Sequence, residues 1–595
     1  MTIPAVARPK ADEGTVVIIA NRGPHDFVWE AGHWVAKPST GGLVSMIEPL
    51  ARQPNVAWFC CVSEPPGSEN DRDTLYTTAK DQTDPDLNVV PVPLPADIYR
   101  EYYGVISNEI LWMLHHHLVG QFGYATLDEN SHRAWEAYLE ANRRMAEGVR
   151  ATEIPVRAFL VQDYHLYALP EMLRREFPQT PILHFIHIPF PEPSTLKLLP
   201  KAWRETLLRG VLGADVVGLQ TTDDVRSFLN CCEEILGATV DLLRHTVILR
   251  SGRTVRVRAF PASTDPNAIR TLQSNPQVEE ARRRLAPRMR DLNIIRVDRL
   301  DPSKNQIIGF SAFGRLLELN PALIGQVRFL AFLIPSRTDL TVYREYHDAV
   351  YREIEVVNAR FRQACGFDPI EVFYTNDRTQ AIAAMESCDV LLVNSRQDGM
   401  NLVVKEWAIV SNKPGVLVVS ETAGVASETE GKSLQISPLD VEGTAKALAQ
   451  ALFMPLAERT AWIEALRSGI EKWTARDWLV AQMQELGLTL PEKTAPPLPS
   501  APSQQGVIEH ELKVLNKEGI HARPAAAFVR CARGFQSEIE IVKSGAAFSA
   551  KSILSVLTAN LNRDTRFTLR ASGSDARSAV EQLGRLLEQF REEEG

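Results

Sequence analysis

Two hydrophobic patterns alternate along residues 14–485 of the chain. Short apolar runs bounded by polar residues are typical of buried parallel strands, and the amphipathic stretches between them are typical of helices. We expect strands near Val16–Ala20, Ala158–Gln162, Ile182–Ile188 and Asp215–Leu219 in the first half, and near Ile294–Val297, Val327–Phe332, Glu371–Tyr374, Val390–Val393 and Val416–Ser420 in the second. This alternation predicts an α/β protein with two doubly wound parallel sheets, which bind ligands beyond the carboxyl ends of their strands.

The pattern also predicts where the chain divides. Residues 1–13 carry no periodic signal and are expected to be disordered, and the switch between the two halves is expected at residues 262–263. The last helix of the segment 263–488 is expected to cross back to the segment 14–262. Residues 489–506 contain five prolines with Ser, Ala and Gln, which predicts an extended, semi-rigid linker to a separate tail, residues 507–595.

Composition and charge narrow the classes of function. The 595 residues are 45% hydrophobic and 23% charged, with a net charge of −9, which argues against nucleic acid or an anionic membrane as a partner. No apolar run approaches the roughly 18 residues that a membrane span needs, and the N-terminus lacks a signal-peptide core. Seven scattered cysteines suit a reducing cytoplasm, so we predict a cytoplasmic protein. His115–His117 are consecutive on a helix and cannot share a metal ion, so no metal site is predicted.

Two segments at strand ends have the chemistry of an anion site. Asp398–Glu406 follows the apolar run Asp389–Asn394, and we expect a sharp turn at Gly399 and a helix over Met400–Trp407. The free N–H groups at the start of such a helix suit a nucleotide diphosphate, and a carboxylate two turns on could accept hydrogen bonds from ribose. The alternative is an ordinary strand–loop–helix unit with a surface glutamate.

A pair of cations in the second segment favours the anion site. Arg299 and Lys304 lie five residues apart after the strand near Ile294–Val297. Two fixed cations at a strand end can clamp a pyrophosphate and stabilise the charge that develops as it leaves. Together the two segments resemble the donor site of the trehalose-6-phosphate synthases and their relatives, which are retaining glucosyltransferases of the two-Rossmann-domain (GT-B) type.

Further motifs carry the same resemblance in the family's order over residues 14–485. They are Val16–Pro24, the glycine-rich Ser39–Leu43, Tyr102–Trp112, Val161–Leu166, His187–Pro191 and Pro335–Arg337. The resemblance implies that residues 14–262 form the acceptor domain and residues 263–488 the nucleotide-sugar domain. It implies a nucleotide-glucose donor (UDP-, ADP- or GDP-glucose) as a substrate, a phosphorylated acceptor, and neither a cofactor nor a protein nucleophile.

The resemblance also assigns roles to individual residues. The catalytic residues are expected to be Arg299, Lys304, His187 and Asp163. The donor is expected to contact Gly41, Gly42, Asp398, Gly399, Met400, Asn401, Leu402 and Glu406. The acceptor phosphate is expected to contact Arg22, Tyr103, Trp112 and Arg337. Two alternatives stay open, because Asp163 could be a helix cap and both Tyr103 and Trp112 could be core aromatics.

The tail has a motif of its own. The segment Gly519–Ala526 places His521 at the expected start of a helix, two residues before Arg523. The free backbone N–H groups of that helix start and the Arg523 guanidinium could stabilise a phosphoryl group on the imidazole. The segment resembles the active site of the histidine-containing phosphocarrier protein (HPr) of the sugar phosphotransferase system, an α+β open-faced sandwich. Ser552 maps onto that family's regulatory serine, and enzyme I is an implied partner. The alternative is a degenerate tail kept for packing or assembly.

The identity of the acceptor is left open by two departures from the family's pattern. The family's Trp-Phe-Gly-Trp segment is Trp58–Cys61 here, and the motif Asp301–Asn305 differs from the Asp-Tyr-Ser/Ile-Lys-Gly form. The first expectation is that the acceptor is glucose 6-phosphate. The alternative is glycerol 3-phosphate, as in glucosylglycerol-phosphate synthases, or the acceptor of a related pseudo-disaccharide synthase. A regulatory protein that binds sugar nucleotide without turnover is the alternative of another class. Whether the chain forms a homo-oligomer stays open.

Overall fold

The computed structural model describes residues 14–39, 42–68, 71–120, 126–489, 508–516, 519–520, 522–535, 537–543, 546–573 and 575–592. The expected disorder of residues 1–13 and nearly all of the predicted linker, residues 490–506, therefore lie outside the described residues. The chain divides into two compact units, one of residues 1–96, 147–157 and 489–595 and the other of residues 97–146 and 158–488. Each unit is described by itself.

The strands are numbered in chain order. β1 to β21 are Thr15–Ala20, His25–Glu30, His33–Pro38, Val56–Glu64, Val89–Pro95, Val156–Gln162, Ile182–Phe185, Val216–Leu219, Thr239–Asp241, Thr246–Ile248, Thr254–Ala259, Leu292–Arg299, Val327–Ile334, Ile370–Tyr374, Val390–Val393, Val416–Ser420, Leu434–Ile436, Ile508–Lys513, Glu538–Lys543, Ala546–Ser549 and Arg566–Ser572.

The helices are numbered in the same way. α1 to α21 are Gly42–Ala51, Arg72–Gln82, Ala96–Tyr99, Trp112–His115, Glu129–Ala151, Leu169–Glu176, Pro193–Leu196, Lys201–Val211, Thr222–Leu236, Pro266–Gln273, Pro276–Leu285, Gln306–Leu319, Thr341–Cys365, Arg378–Met385, Leu402–Val410, Val441–Phe453, Leu456–Lys472, Ala475–Glu485, Ala522–Arg533, Ile553–Thr558 and Ala576–Glu592. A π-helix spans Arg100–Leu111, and 3-10 turns span Tyr164–Leu166, Ala286–Arg288, Pro302–Lys304, Pro321–Leu323 and Gly424–Ala426.

The first unit combines part of a parallel sheet with the tail. Strands β5, β4 and β1 pair in parallel, and β2 and β3 form an antiparallel hairpin. The tail is an antiparallel sheet in the order β18-β21-β19-β20, whose apolar face packs with the inner faces of α19 and α21 around Phe528, Ile541 and Leu583. The tail is therefore the expected α+β sandwich with a core of its own.

The second unit holds two sheets. One runs β6-β7-β8-β11 in parallel and then adds β10 and β9 as antiparallel edge strands. The other, β14-β13-β12-β15-β16-β17, is parallel throughout, and its buried strands pack against helices such as α12, α13 and α16. The fold class predicted from the sequence, doubly wound α/β with an α+β tail, is confirmed.

Several details of that prediction are wrong. The first sheet is mixed, because β9 and β10 close its edge as a meander with no helix between them. The strand expected over Ile182–Ile188 ends at Phe185. The hairpin of β2 and β3 was not foreseen, because its polar strands break the apolar pattern on which the strand assignments rest.

Helix α18 lies against the first half of the chain. The Trp478 indole N–H donates to Phe260 O (3.1 Å), its ring meets Phe185 at 5.0 Å between centroids, and Arg258 pairs with Glu485. The return of the last helix to the first domain and the boundary at residues 262 and 263 stay predictions. None of the described helices has both the length and the apolar character needed to cross a membrane.

Candidate active site

The Lys304 loop begins where β12 ends. Asp301 caps the 3-10 turn Pro302–Lys304 by accepting from Ser303 N (3.0 Å), and Asn305 then adopts a left-handed conformation (φ 57°) before α12. Asparagine tolerates this conformation better than other residues with side chains, which fits the glycine that the family's motif carries there. The Asn305 amide donates to Asn394 O and Pro438 O at 3.0 and 2.7 Å, so the loop is tied to the end of β15.

Lys304 and Asp398 form a mostly buried ion pair at this end of the sheet. Lys304 Nζ donates to Asp398 Oδ2 at 2.5 Å, and the carboxylate also accepts from Ser395 Oγ and Asn401 Nδ2. Burial alone would raise the pKa of Asp398, but Lys304 and the hydrogen bonds lower it below its usual value. The ion pair therefore holds the ammonium group in place at the predicted phosphate site.

The loop after β15 differs from the prediction. The helix begins at Leu402 rather than Met400, because Asn401 is left-handed (φ 79°) and caps the helix by accepting from Val404 N. Gly399 is not needed for a left-handed turn. It is needed for space, because a Cβ there would lie 2.1 Å from His187 O. Met400 is buried, so the helix N-terminus presents mainly backbone amides.

Glu406 lies in α15, beyond Asp398 as expected, but its carboxylate already has a cationic partner. Arg378 Nη2 donates to Glu406 Oε1 at 2.7 Å, and the Glu406 side chain is 20% exposed. The predicted ribose contact would therefore use a carboxylate that Arg378 holds in place.

Asp163 and His187 follow β6 and β7. Asp163 has the strained backbone of a non-glycine residue at φ 72°, and its Oδ1 accepts from His187 N at 3.2 Å. Asp163 occupies the N-cap position of the turn Tyr164–Leu166 but makes no side-chain capping hydrogen bond of the usual kind. His187 Nε2 meets Gln162 Oε1 at 3.0 Å, and Gln220 donates to His187 O.

Burial sets the protonation of this pair. Burial raises the pKa of Asp163 to about 6, although backbone hydrogen bonds and the charges of Arg337 and Arg299 pull the other way. Burial lowers the pKa of His187 to about 3. At neutral pH Asp163 is mainly an acceptor of hydrogen bonds, and His187 is neutral and cannot serve as a cation.

Asp301 joins the predicted donor and acceptor residues. Its Oδ1 accepts from the Trp112 indole N–H (3.2 Å), and its Oδ2 accepts from Arg337 Nη1 (2.8 Å) and Tyr343 OH (3.2 Å). Burial is the largest influence on the pKa of Asp301, but it is outweighed by Arg337, Arg299 and His116, which hold the pKa well below its usual range. Asp301 is thus a permanent anion among cations.

Two guanidinium groups approach the ring of Trp112. Arg337 and Arg299 approach its ring at 4.2 and 5.0 Å from the centroid, within the range of cation–π contacts. Arg337 also donates to Asp301, but the Arg299 guanidinium has no hydrogen-bonding or ion-pair partner among the described residues. The Arg299 guanidinium is therefore directed by an aromatic face and keeps its N–H groups for a ligand.

An unusual helix carries the aromatic residues. Residues Arg100–Leu111 form a π-helix, in which Ser107 Oγ donates to Tyr102 O and Trp112 N donates to Ser107 O, five residues back. Such helices are rare and occur often at functional sites. Tyr103 stacks on His165 at 5.8 Å with nearly parallel rings. Trp112 is buried, as expected for a core aromatic. Its ring also lies against two cations.

Two site residues were missed by reasoning from the sequence. His116 stacks on Trp112 at 4.0 Å, and burial lowers its pKa to about 4. It had been considered only as part of a metal cluster, and no group of three or more potential metal ligands occurs in the described part of the chain. Asp301 could have been found, because an aspartate before Pro-Ser after a strand indicates a cap.

The remaining predicted residues belong to the first unit or lie outside the described residues. Arg22 and Gly42 belong to the first unit, where Arg22 is exposed and pairs with Asp26, and Gly42 begins α1. Gly41 and His521 lie outside the described residues, and of Arg523 only the backbone is described. Ser552 begins α20, and its side chain accepts from Ser555 N.

Two Rossmann-like sheets with this cluster of cations at their strand ends define a GT-B glycosyltransferase. The family model for glycosyltransferase family 20 matches residues 14–487, and the model described as the PTS HPr component phosphorylation site matches residues 508–589. The chain belongs to glycosyltransferase family 20 and carries an HPr domain at its C-terminal end.

Similar proteins of known name are consistent with this family. The "Alpha,alpha-trehalose-phosphate synthase [UDP-forming] A" of Dictyostelium discoideum is 30% identical to this chain. The match covers 80% of this chain and 62% of that relative's length. The solved α,α-trehalose-phosphate synthase (UDP-forming) of Burkholderia xenovorans, in complex with glucose-6-phosphate, has a TM-score of 0.69 and 28% identity, covering 80% of this chain and all of that one. An E. coli trehalose-6-phosphate protein bound with UDP-2-fluoro glucose has a TM-score of 0.67 and 26% identity over 80% of this chain and all of its own.

Removing either clamp cation is expected to slow turnover. Arg299→Ala or Lys304→Ala should each lower kcat roughly a hundredfold or more, the effect of losing one preorganised charge stabiliser. Steady-state kinetics with a sugar-nucleotide donor measures this, with Arg288→Ala on the exposed surface as the control. Near-wild-type turnover in both clamp variants would contradict the assigned roles.

Replacing Asp163 is expected to change the pH dependence of stability. Because the folded pKa of about 6 exceeds that of the unfolded chain, ionisation of Asp163 destabilises the fold as pH rises from 4 towards 7. The stability of Asp163→Asn relative to wild type, measured as the difference in the free energy of unfolding, should therefore be about 2–3 kcal/mol greater at pH 8 than at pH 4. Denaturant titrations at both pH values test this, with the exposed Asp223→Asn as the control. An equal difference at the two pH values would refute it.

Proposed function

We propose that this protein transfers glucose from UDP-glucose to glucose 6-phosphate, with retention of configuration, giving trehalose 6-phosphate and UDP. Its family membership and the named activities of its relatives support the reaction. The single observation that supports the proposal is the Arg299 guanidinium, which lies over Trp112 with unused donors, five residues before the lysine of the Lys304–Asp398 pair.

The chemistry follows from these charges. As the bond between the sugar and the β-phosphate breaks, negative charge grows on the diphosphate, and Arg299 and Lys304 neutralise it. Backbone amides at the start of α15, with those predicted at Gly41 and Gly42, add hydrogen bonds. The acceptor hydroxyl attacks from the same face through an oxocarbenium-like state, and its proton passes to the departing phosphate oxygen.

The groups around the sugar suit hydroxyl recognition. Asp163 is held by His187 N and can accept hydrogen bonds, and the Gly399–His187 close approach places the donor loop directly against His187. His187, being neutral, contributes its ring and its backbone carbonyl. Arg337, Trp112 and Tyr103, with Arg22 from the first unit, are the proposed contacts of the acceptor phosphate.

A second acceptor is favoured by one observation. Cys61, which replaces a pocket tryptophan of the family's motif, is a buried strand residue of β4 and offers far less contact surface than an indole ring. Glycerol 3-phosphate, which is smaller and keeps the phosphate, is therefore the second candidate.

The acceptor and the donor can be assigned in one experiment. The protein is incubated with UDP-, ADP- and GDP-glucose against glucose 6-phosphate, glycerol 3-phosphate and glucose, and products are identified by mass spectrometry. We expect trehalose 6-phosphate from UDP-glucose, and Arg337→Ala should raise the acceptor KM about 10- to 100-fold by losing a charged hydrogen bond. The donor KM should change little, and Arg344→Ala, an exposed arginine of α13, is the matched control.

Three outcomes would count against these assignments. Equal loss of donor and acceptor binding in Arg337→Ala would remove its role at the phosphate. Equal use of glucose and glucose 6-phosphate by wild type would remove the phosphorylated acceptor. Binding of sugar nucleotide without any product would favour the regulatory alternative.

The HPr domain is proposed to accept a phosphoryl group on His521. Enzyme I with phosphoenolpyruvate should label the wild-type chain, and should label His510→Ala, which alters an exposed histidine of β18, but not His521→Ala. Deleting residues 507–595 should leave the transferase folded, because the tail has its own core. No labelling of wild type would favour a degenerate tail, and loss of solubility on deletion would favour a role in assembly.

A further inference from the structure

The HPr domain lies against the transferase within the first unit. Arg530 and Arg533 are three residues apart, on one face of α19 at its C-terminal end. Arg530 Nη1 donates to Asp81 O at 3.1 Å, and Arg533 Nη1 pairs with Asp86 Oδ1 and approaches Asp84 Oδ1 at 3.9 Å. We call Asp81, Asp84 and Asp86, at the end of α2 and in the turn after it, the acidic turn.

The acidic turn is suited to guanidinium groups in two ways. Asp81 O belongs to the last turn of α2, where carbonyl oxygens lack helical partners and the helix dipole is negative. Asp84 and Asp86 add two carboxylates, one buried and one half-exposed. The partner that fits is a pair of arginines one helical turn apart, and the tail of the same chain supplies it.

Arg533 also connects the acidic turn to the interior of the tail. Its Nε donates to Lys551 O at 2.6 Å, at the loop that leads into α20. One guanidinium therefore joins three groups: the loop before α20, the end of α19 and the acidic turn. The side chain that contacts the acidic turn is therefore the same one that bonds this loop.

On the transferase side, the acidic turn is bonded to the elements that flank the glycine-rich segment Ser39–Leu43. Asp84 Oδ2 accepts from Arg52 Nη1 (2.8 Å), and Arg52 in turn bonds Glu48 of α1. Gln82 Oε1 accepts from Ala36 N of β3 at 3.1 Å. Strand β3 ends just before this segment, and α1 begins within it at Gly42.

We propose that the acidic turn is the docking surface of the HPr domain, and that docking stabilises α1 and β3 in the arrangement that favours donor binding. The kinetic part rests on the proposed function, because it assumes that the glycine-rich segment contacts the donor. The docking part does not depend on turnover.

Charge exchange in the full-length chain tests the docking part. Hydrogen exchange over residues 72–88 is compared among wild type, Arg533→Glu, Asp86→Arg and the double variant Arg533→Glu/Asp86→Arg. Each single variant should speed exchange about two- to fivefold, the scale of one exposed ion pair, and the double variant should restore slow exchange because the pair re-forms with opposite sign. Arg577→Glu, on the exposed face of α21, is the control and should match wild type.

The Asp86→Arg variant distinguishes a loss of docking from a disturbance of the tail itself. Asp86→Arg leaves the Arg533–Lys551 bond intact, so it reports on docking even if Arg533→Glu disturbs the tail. Unchanged exchange in Asp86→Arg would therefore overturn the docking surface. High salt should reproduce the single variants, because exposed ion pairs are screened.

The kinetic part is read from the same variants. The donor KM should rise about two- to fivefold in the single variants and recover in the double variant, with the acceptor KM and kcat unchanged. A donor KM that does not follow the exchange rates would overturn the coupling to the glycine-rich segment. If wild type shows no turnover, the proposed function fails, while the exchange experiment still decides the docking.

Discussion

The site depends on one buried carboxylate, Asp301, surrounded by hydrogen-bond donors. A buried charge is stable only when it is paired and fully hydrogen-bonded, and Asp301 meets this with Ser303, Trp112, Arg337 and Tyr343. Because these partners come from three separate parts of the chain, the carboxylate fixes their mutual positions. Removing it would leave Arg337 buried without its counter-charge, which costs more than the bonds themselves.

Around this anion the cations are distributed unequally. Lys304 is neutralised by Asp398 and Arg337 by Asp301, whereas the Arg299 guanidinium lies over the ring of Trp112 and forms no ion pair within the described part of the chain. A phosphate entering the site therefore meets two cations that are held in place and one that is still unsatisfied. This arrangement is preorganised, since little has to move when charge develops on a leaving group. Asp163 experiences the opposite balance, because burial raises its pKa although the charges of Arg337 and Arg299 favour its ionised form.

Much of the fold and part of the site could be predicted from the sequence, for reasons visible in particular residues. Apolar runs such as Val390–Val393 and Val416–Ser420 were located to the residue, because buried parallel strands are apolar on both faces. Lys304 and Asp398 were both expected at the donor site, because they belong to motifs at neighbouring strand ends, but the ion pair between them was not foreseen. The contact of Trp112 with Asp301 spans 189 residues, and no local pattern encodes it. The sequence suggested that Gly399 is needed for a sharp turn, but the structure shows that it is needed because a side chain would collide with His187 O. That contact is tertiary, so the local sequence does not reveal it.

The π-helix Arg100–Leu111 has a consequence for how such a site can diverge. Its turns close five residues apart instead of four, so the stretch holds more residues than an α-helix needs to cover the same path. Loss or gain of a single residue there would turn the following segment by about 100°, and would carry Trp112 away from both guanidinium groups in one step. Substitutions adjust the shape of the pocket gradually, whereas a change in chain length at this helix would replace its aromatic wall at once. Relatives with a different acceptor are therefore to be sought among length variants of this segment as well as among sequence variants.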